Sequence, residues 1–385
     1  GQYLFGSIYG EIKIIEALNF KSQISISLGN DRTSNFLPSF ADDALSSNLI
    51  TAVLDKQRND SYATVFSNTL NYNKEFLGGH RLDAVVGISW DRNRNDLESQ
   101  TYAGFPDDFI LTNIGSAQRV NNFSSEAIEG ALNSVFGRFN YNYKDRYLAT
   151  FTARRDGSTK FGPNNKYGFF PSGALAWNIH NEDFFDSSTI NQLKIRTSLG
   201  RTGNDNLASF TYLAYMSSLA SQLSFYGNNN GIVITGLPNS DIRWEETDQL
   251  DIGAEFSLLN SRINGEIVYY EKNTSGIILY SPLPSESGFG SFNANVADVS
   301  NNGWEISLSG DILQSKKINW NSSFNISFPK GKVENLYGST IYRDGRTPSV
   351  VEGYPIGVIT GYDKIGIAQT QSEIEALDNE APGGK

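Results

Sequence analysis

The sequence predicts an all-β chain, an antiparallel transmembrane β-barrel, and three observations point there. Apolar residues recur with a period of two, the chain is rich in aromatics yet polar on average, and its connections come in two lengths.

The period is clearest in "LDAVVGISWD". Leu82, Ala84, Val86, Ile88 and Trp90 share one face, while Asp83, Val85, Gly87, Ser89 and Asp91 share the other. "NWNSSFNISF" sets Trp320, Ser322, Phe324, Ile326 and Phe328 against Asn319, Asn321, Ser323, Asn325 and Ser327. "LDIGAEFSL" sets Leu250, Ile252, Ala254, Phe256 and Leu258 against Asp251, Gly253, Glu255 and Ser257. "WEISLSGDI", "YATVFSNTLNY" and "LKIRTSLG" behave alike. Roughly fourteen such segments of about ten residues suit tilted membrane-crossing strands better than soluble strands of about five or six.

Composition narrows the class. Aromatics make up 12% of 385 residues, with 24 Phe and 19 Tyr, but hydrophobic residues only 39%. No apolar run reaches the roughly eighteen residues of a transmembrane helix, and a barrel strand needs none because only alternate residues face lipid. A formal charge of −11, from 42 acidic and 31 basic residues, argues against a phosphate backbone as partner. The chain has no cysteine, which excludes disulfides and thiolate metal sites and suits a periplasmic or outer-membrane setting. "GQYLFGSIYG" has neither the basic start nor the apolar core of a signal peptide, so the expectation is a cleaved leader or a longer parent chain.

Short connections include the turn at Lys144 and Asp145 in "YNYKDRY" and the one around Asn260 in "LLNSR". Long ones are expected over 31–60, 101–130 and 218–241, on the extracellular side. Tyr141, Tyr143 and Tyr147, Tyr269 and Tyr270, and Trp177 and Trp320 are expected near strand ends, where amphipathic rings meet headgroups. A soluble sandwich or propeller also alternates; long, aromatic, polar-faced strands favour the barrel.

Catalytic chemistry finds no footing, and no cofactor or metal is called for. His80 and His180 read as wall or turn residues, with no nucleophile elbow or second histidine at metal spacing. Glu245 and Glu246 are neighbours on a strand and point to opposite faces, so they would not act as a pair. There is no phosphate-binding glycine loop, zinc spacing or complete calcium loop.

The segment "RRDGSTKFGPNNKYGFFPS", residues 154–172, reads as strand, connection, strand. Asp156-Gly157-Ser158 and Gly162-Pro163-Asn164-Asn165 are expected to supply the turn chemistry. Arg154 and Arg155 fall on opposite faces, so one should enter the lumen and pair with carboxylates.

Around those residues the chain resembles a known family. "FGRFNYNYKDRYLATFTARRDGSTKFGPNNKYGFFPSGALAWNIHNEDFF" with "LKIRTSLGRTGN" is similar to the central barrel signature of SusC/RagA TonB-dependent outer-membrane transporters. "IRWEETDQLDIGAEFSLLNSRINGEIVYYEKNTSGIILYSPLP", "NNGWEISLSGDI" and "GYPIGVITGYDKIGIAQTQSEI" follow in the family's order. The resemblance implies a bacterial outer-membrane barrel of about 22 strands around a plug. This chain would be a middle-to-late piece of it, without the plug, the TonB box or the last strands. It further implies TonB as energy source, a SusD-like surface lipoprotein as lid, oligosaccharide or oligopeptide cargo, and a dimer of transporter–lipoprotein pairs. Phe225 and Tyr226 in "SQLSFYGNNN" are the candidate substrate contacts, as rings able to stack on a sugar or peptide. The competing readings are a soluble β-rich glycan hydrolase and a non-transporting adhesive surface protein.

Overall fold

The computed structural model describes residues 1–40, 52–217, 225–226, 229–315, 317–337, 341–342, 348–359, 367 and 370–374. The chain opens with β1 (Gln2–Ile15), β2 (Leu18–Leu37), β3 (Val53–Phe76), β4 (His80–Ala103), β5 (Arg119–Tyr143), β6 (Tyr147–Ser158), β7 (Tyr167–Asn178) and β8 (Ile190–Asn204). Short strands follow: β9 (Tyr215–Ser217), β10 (Phe225–Tyr226), β11 (Asn229–Asn230) and β12 (Val233–Gly236). Then come β13 (Glu245–Leu258), β14 (Ile263–Pro282), β15 (Ser291–Gln314) and β16 (Asn319–Asn335), with β17 (Ile341–Tyr342) and β18 (Pro348–Val350) last. The twelve long strands form one sheet, each pairing antiparallel with the next in chain order and β8 pairing with β13. β9 pairs with β12, β10 with β11 and β17 with β18.

The two faces invert the pattern of a soluble protein. On β4, Val86, Ile88 and Trp90 are exposed while Gly87 and Ser89 between them are buried. Phe151 on β6, Leu175 on β7, Leu199 on β8, Ile252 on β13, Trp304 on β15 and Phe324 on β16 are exposed in the same way. The opposite face buries Ser89, Ser134, Asp156, Ser158 and Ser257. Water would not select that arrangement, whereas a barrel with lipid outside and a polar lumen requires it. Along β4 the outward apolar run from Leu82 to Trp90, tilted as in a barrel, rises about 20 Å, most of the roughly 25 Å apolar band of outer-membrane barrels.

Strands of 12 to 25 residues exceed the length expected from alternation. Beyond the apolar band both faces are polar, so the period fades although the ladder continues. Arg58 and Asp60 on β3 and Arg92 and Arg94 on β4 lie in that extension, and Arg94 binds Glu129 of β5 at 2.8 Å. The long connections therefore span 38–52 and 104–118 rather than 31–60 and 101–130. Asp156-Gly157-Ser158 is likewise not a turn. These residues end β6, with Ser158 opposite Leu132 and Gly157 opposite Tyr167, and reversal falls to 159–166, which includes Gly162-Pro163-Asn164-Asn165.

The opposite end of the sheet carries the short turns. Lys144 and Asp145 (φ 55° and 52°) join β5 to β6, and Leu259, Asn260 and Ser261 (φ 54°, 56° and 62°) join β13 to β14, the left-handed geometry that tight hairpins need. There His80, Tyr143, Tyr147, Trp177 and Phe184 lie ring against ring, with successive centroids 4.5, 6.3, 6.4 and 6.5 Å apart. This is an interfacial girdle, and His80 joins it through a 2.7 Å contact of Nδ1 with Tyr141 Oη. Tyr269 and Tyr270 lie inside β14 rather than at its end; Tyr269 packs 5.2 Å from Trp304 where the apolar band stops.

Glu182, between β7 and β8, ties the girdle down. It accepts hydrogen bonds from Tyr147 and from Trp177 Nε1 (2.8 Å), and Arg146 lies 3.2 Å away, so its carboxyl is held below the usual carboxylate range. Because the folded state binds that proton more weakly, the stabilisation is present above the ordinary carboxylate range and is lost as pH falls through the folded value. Acidification should therefore lower the unfolding midpoint of wild type more than that of Glu182→Gln; identical pH profiles would remove Glu182 from this account. On the outward face, Leu175→Arg should destabilise insertion by about 2–4 kcal/mol in urea titrations of vesicle-embedded full-length protein, with Leu175→Ala far milder. A neutral Leu175→Arg would show that this face does not meet lipid.

Candidate functional site

The inward face is a continuous polar wall. Lys194 and Arg196 on β8 both reach Glu255 on β13 at 3.1 Å, and Arg196 also binds Glu266 on β14. One strand-register step on, Ser198 and Gln249 donate to Asp251 at 3.3 and 2.7 Å. On the other side Arg154 donates to Asp156 at 2.7 Å and to Ser134 at 2.8 Å, with its guanidinium over the Phe136 ring. Arg154 is thus the member of its pair that turns inward, and Arg155 turns outward. Alternation places these charges, and cross-strand register supplies each with a polar partner on a neighbouring strand, whereas Asp91 on the same face of β4 keeps one buried oxygen unpaired.

Toward the long-loop end, this wall carries an aromatic anchor. Phe161, Phe170, Ile242 and Trp244 form a buried cluster, with Phe161 and Phe170 centroids 5.0 and 5.3 Å from Trp244. Trp244 Nε1 donates to the Lys166 carbonyl at 3.2 Å. Gly168 and Gly203 make room for Phe170, since a Cβ at either would lie 2.3 or 2.1 Å from its ring. Polar contacts close the anchor: Ser158 Oγ donates to Asp205 at 2.8 Å, Lys160 Nζ to the Asp205 carbonyl at 2.9 Å, and Asn165 to the Asp241 carbonyl at 3.0 Å. Segment 159–166 and the long connection 205–244 are thereby fastened to the wall and to each other. Sequence reading saw the aromatics of 154–172 but not their partner Trp244, some eighty positions away in the chain.

The first two long connections are also knitted together. Ser39 donates through N and Oγ to Asp108 at 2.8 and 2.7 Å, and Phe40 stacks on Phe109 with centroids 5.6 Å apart. Asp107 accepts from the backbone N–H groups of Ile110, Phe109 and Leu111, which hold its carboxyl below the usual range. That small turn presents Phe109 and Ile110 to solvent, 78% and 83% exposed. The sequence reading did not single them out; the signal available was "PDDFIL", an Asx-type turn followed by apolar residues without alternation.

Phe225 and Tyr226 form β10, opposite Asn230 and Asn229; their side chains fall outside those described, as do residues 218–224. His180 Nδ1 contacts the backbone of Leu193, a structural role. Glu245 accepts from the Ile278 N–H at 2.8 Å and Glu246 pairs with Arg201 at 2.9 Å, so the two carboxylates do point apart. Much of "GYPIGVITGYDKIGIAQTQSEI" also lies outside the described residues.

Comparison with known proteins completes the assignment. Residues 14–361 match the family described as TonB dependent receptor-like, beta-barrel. The chain belongs to that family. It is 33% identical over 376 residues to TonB-dependent receptor P3 of Formosa agariphila, covering 94% of this chain and 37% of that receptor. It is 30% identical over 291 residues to TonB-dependent receptor SusC of Bacteroides thetaiotaomicron, covering 71% of this chain and 28% of SusC. Among solved structures it superposes on the RagAB peptide transporter with a TM-score of 0.79 at 25% identity, over 92% of this chain and 40% of that one. The chain thus spans well under half the length of these relatives. The SusC/RagA resemblance read from the sequence holds, and the polar inward face is the lumenal wall of an outer-membrane receptor barrel. The family is one of receptors and transporters rather than enzymes, which displaces the hydrolase reading.

Trp244→Ala should cost about 3–5 kcal/mol, the range for emptying a large aromatic site. Limited proteolysis should then cut within 159–166 and 205–241 while the strands stay resistant; unchanged protection of both segments would show that the cluster does not hold them.

Proposed function

We propose that this chain forms part of the wall of a transporter that imports oligosaccharides or oligopeptides across the outer membrane, energised by TonB and closed outside by a SusD-like surface lipoprotein. The observation that carries this reading is the pairing of a charged, hydrogen-bonded lumenal wall with the family match, which includes relatives named SusC and a structure named as the RagAB peptide transporter. In this reading the barrel is passive. It holds a plug, shapes a wet path and docks the lid, while the pull from TonB opens the way.

The wall suits a polar oligomer, because paired side chains on both flanks offer exchangeable hydrogen bonds rather than one deep pocket. At the long-loop end, Phe40, Phe109 and Ile110 offer apolar area for the lipoprotein, and the loop containing Phe225 and Tyr226 is the candidate cargo contact. The assembly in this reading is a dimer of transporter–lipoprotein pairs.

Native mass spectrometry with peptide mapping, on tagged full-length protein extracted in detergent from its own membrane, tests the proposal. The expected particle carries plug peptides and a surface lipoprotein, and Phe109→Ala with Ile110→Ala should reduce lipoprotein retention by about tenfold, as loss of two anchor side chains would. A particle with neither plug peptides nor lipoprotein would overturn it.

A further inference from the structure

In the Arg154–Arg155 pair, Arg155 is the residue that faces outward. On the outward face each strand carries an apolar run that begins near the short turns and stops at a polar residue. It stops at Arg92 on β4, at Arg155 on β6, at Arg201 on β8 and at Asp248 on β13. Two of these three arginines are neutralised within the protein. Arg92 lies 3.0 Å from Glu129, and Arg201 lies 2.7 Å from Asp248 and 2.9 Å from Glu246.

Arg155 differs. Among the described residues it has no ion pair and no hydrogen-bond partner; its guanidinium sits over the Tyr167 ring, 4.3 Å from the centroid. Its cross-strand neighbours on that face are Val135 and Phe169, both exposed and apolar. The ring covers one face of the guanidinium and leaves the in-plane N–H groups free, the geometry in which arginine grips a phosphate bidentately. A cation held at the edge of hydrocarbon without a counter-charge is costly, so the position calls for an anion from outside the chain.

Directly beneath Arg155 the outward face is grooved. Phe151, Pro171, Gly173 and Leu199 line one apolar groove that reaches the Arg201–Asp248 ion pair, and Phe139, Ala149 and Leu175 continue it toward the girdle. Small residues between large ones leave an apolar channel wide enough for an acyl chain, and Phe151 on its wall lies on the same face of β6 as Arg155, four residues away. With a net charge of −11 the protein has no general attraction for anions, so a phosphate here must be held locally.

We infer that the Arg155–Tyr167 pair, with the groove below it, seats a phosphate-bearing lipid of the outer leaflet, the headgroup phosphate on the guanidinium and an acyl chain along Phe151 and Leu199. The inference rests on reading this chain as part of an outer-membrane barrel. It adds a specific lipid site on the wall.

The test uses delipidated full-length protein in detergent, titrated with diphosphorylated lipid A and read by native mass spectrometry. Arg155→Gln should weaken binding about tenfold, the scale of losing one charge-assisted bidentate contact, while Arg92→Gln changes it less than about twofold. Arg155→Lys, which keeps the charge, should fall between wild type and Arg155→Gln, and serves if the glutamine variant does not fold. Dephosphorylated lipid A should bind wild type and Arg155→Gln equally, and millimolar inorganic phosphate should not compete. Equal binding of diphosphorylated lipid A by wild type and both Arg155 variants would overturn the site, as would competition by inorganic phosphate alone, which would make it an ion seat. If wild type still fractionates with the outer membrane in those cases, the barrel reading stands and only the lipid site falls.

Discussion

Backbone pairing in a medium without water is the constraint on which everything else here depends. A peptide N–H or C=O left open to hydrocarbon costs several kcal/mol, so a spanning sheet must bond each strand to both neighbours over the whole apolar band. From β2 to β15 the ladder meets that demand, each long strand bonded antiparallel to a neighbour on both sides, while β1 and β16 each pair with one strand among the described residues. Once register is set, the period of two assigns every side chain to lipid or lumen, and a slip of one residue would exchange Val86, Ile88 and Trp90 with Gly87 and Ser89. Left-handed residues at 144–145 and 259–261 pin that register at the short turns.

The same constraint shapes the lumen. A wall residue faces a wet but confined space, where an unpaired charge would be costly. Lys194, Arg196, Glu255 and Glu266 solve this by pairing across β8, β13 and β14. Arg154, Asp156 and Ser134 do so across β5 and β6. In these two groups charge is retained and partnered. Above this wall the Trp244 cluster fastens segment 159–166 to the end of the long connection that leads into β13.

Outside, the apolar band is bounded on both sides by chemistry suited to interfaces. Rings from His80 to Phe184 mark the short-turn edge, and Arg92, Arg155, Arg201 and Asp248 mark the other. Arg154 and Arg155, adjacent in the chain, therefore serve opposite solvents, the first bound within the lumenal wall and the second stacked on Tyr167 at the membrane edge.

Sequence alone determined the fold class, the lipid-facing set, the tight turns and the family blocks, because each is written in local patterns: alternation, turn residues, or ungapped similarity. Where both faces of a strand meet water the alternation vanishes, and so the extensions of β2 to β5 read as loops although hydrogen bonding carries them on to Leu37 and Ala103. Asp156-Gly157-Ser158 read as a turn by composition, but pairing on both sides holds it in β6. Which of Arg154 and Arg155 enters the lumen, and that Trp244 closes over Phe161 and Phe170, are matters of register and of contact between distant positions. Local propensity carries no record of either, since partners separated by many residues meet only after the intervening strands have paired, and only the tertiary structure decides them.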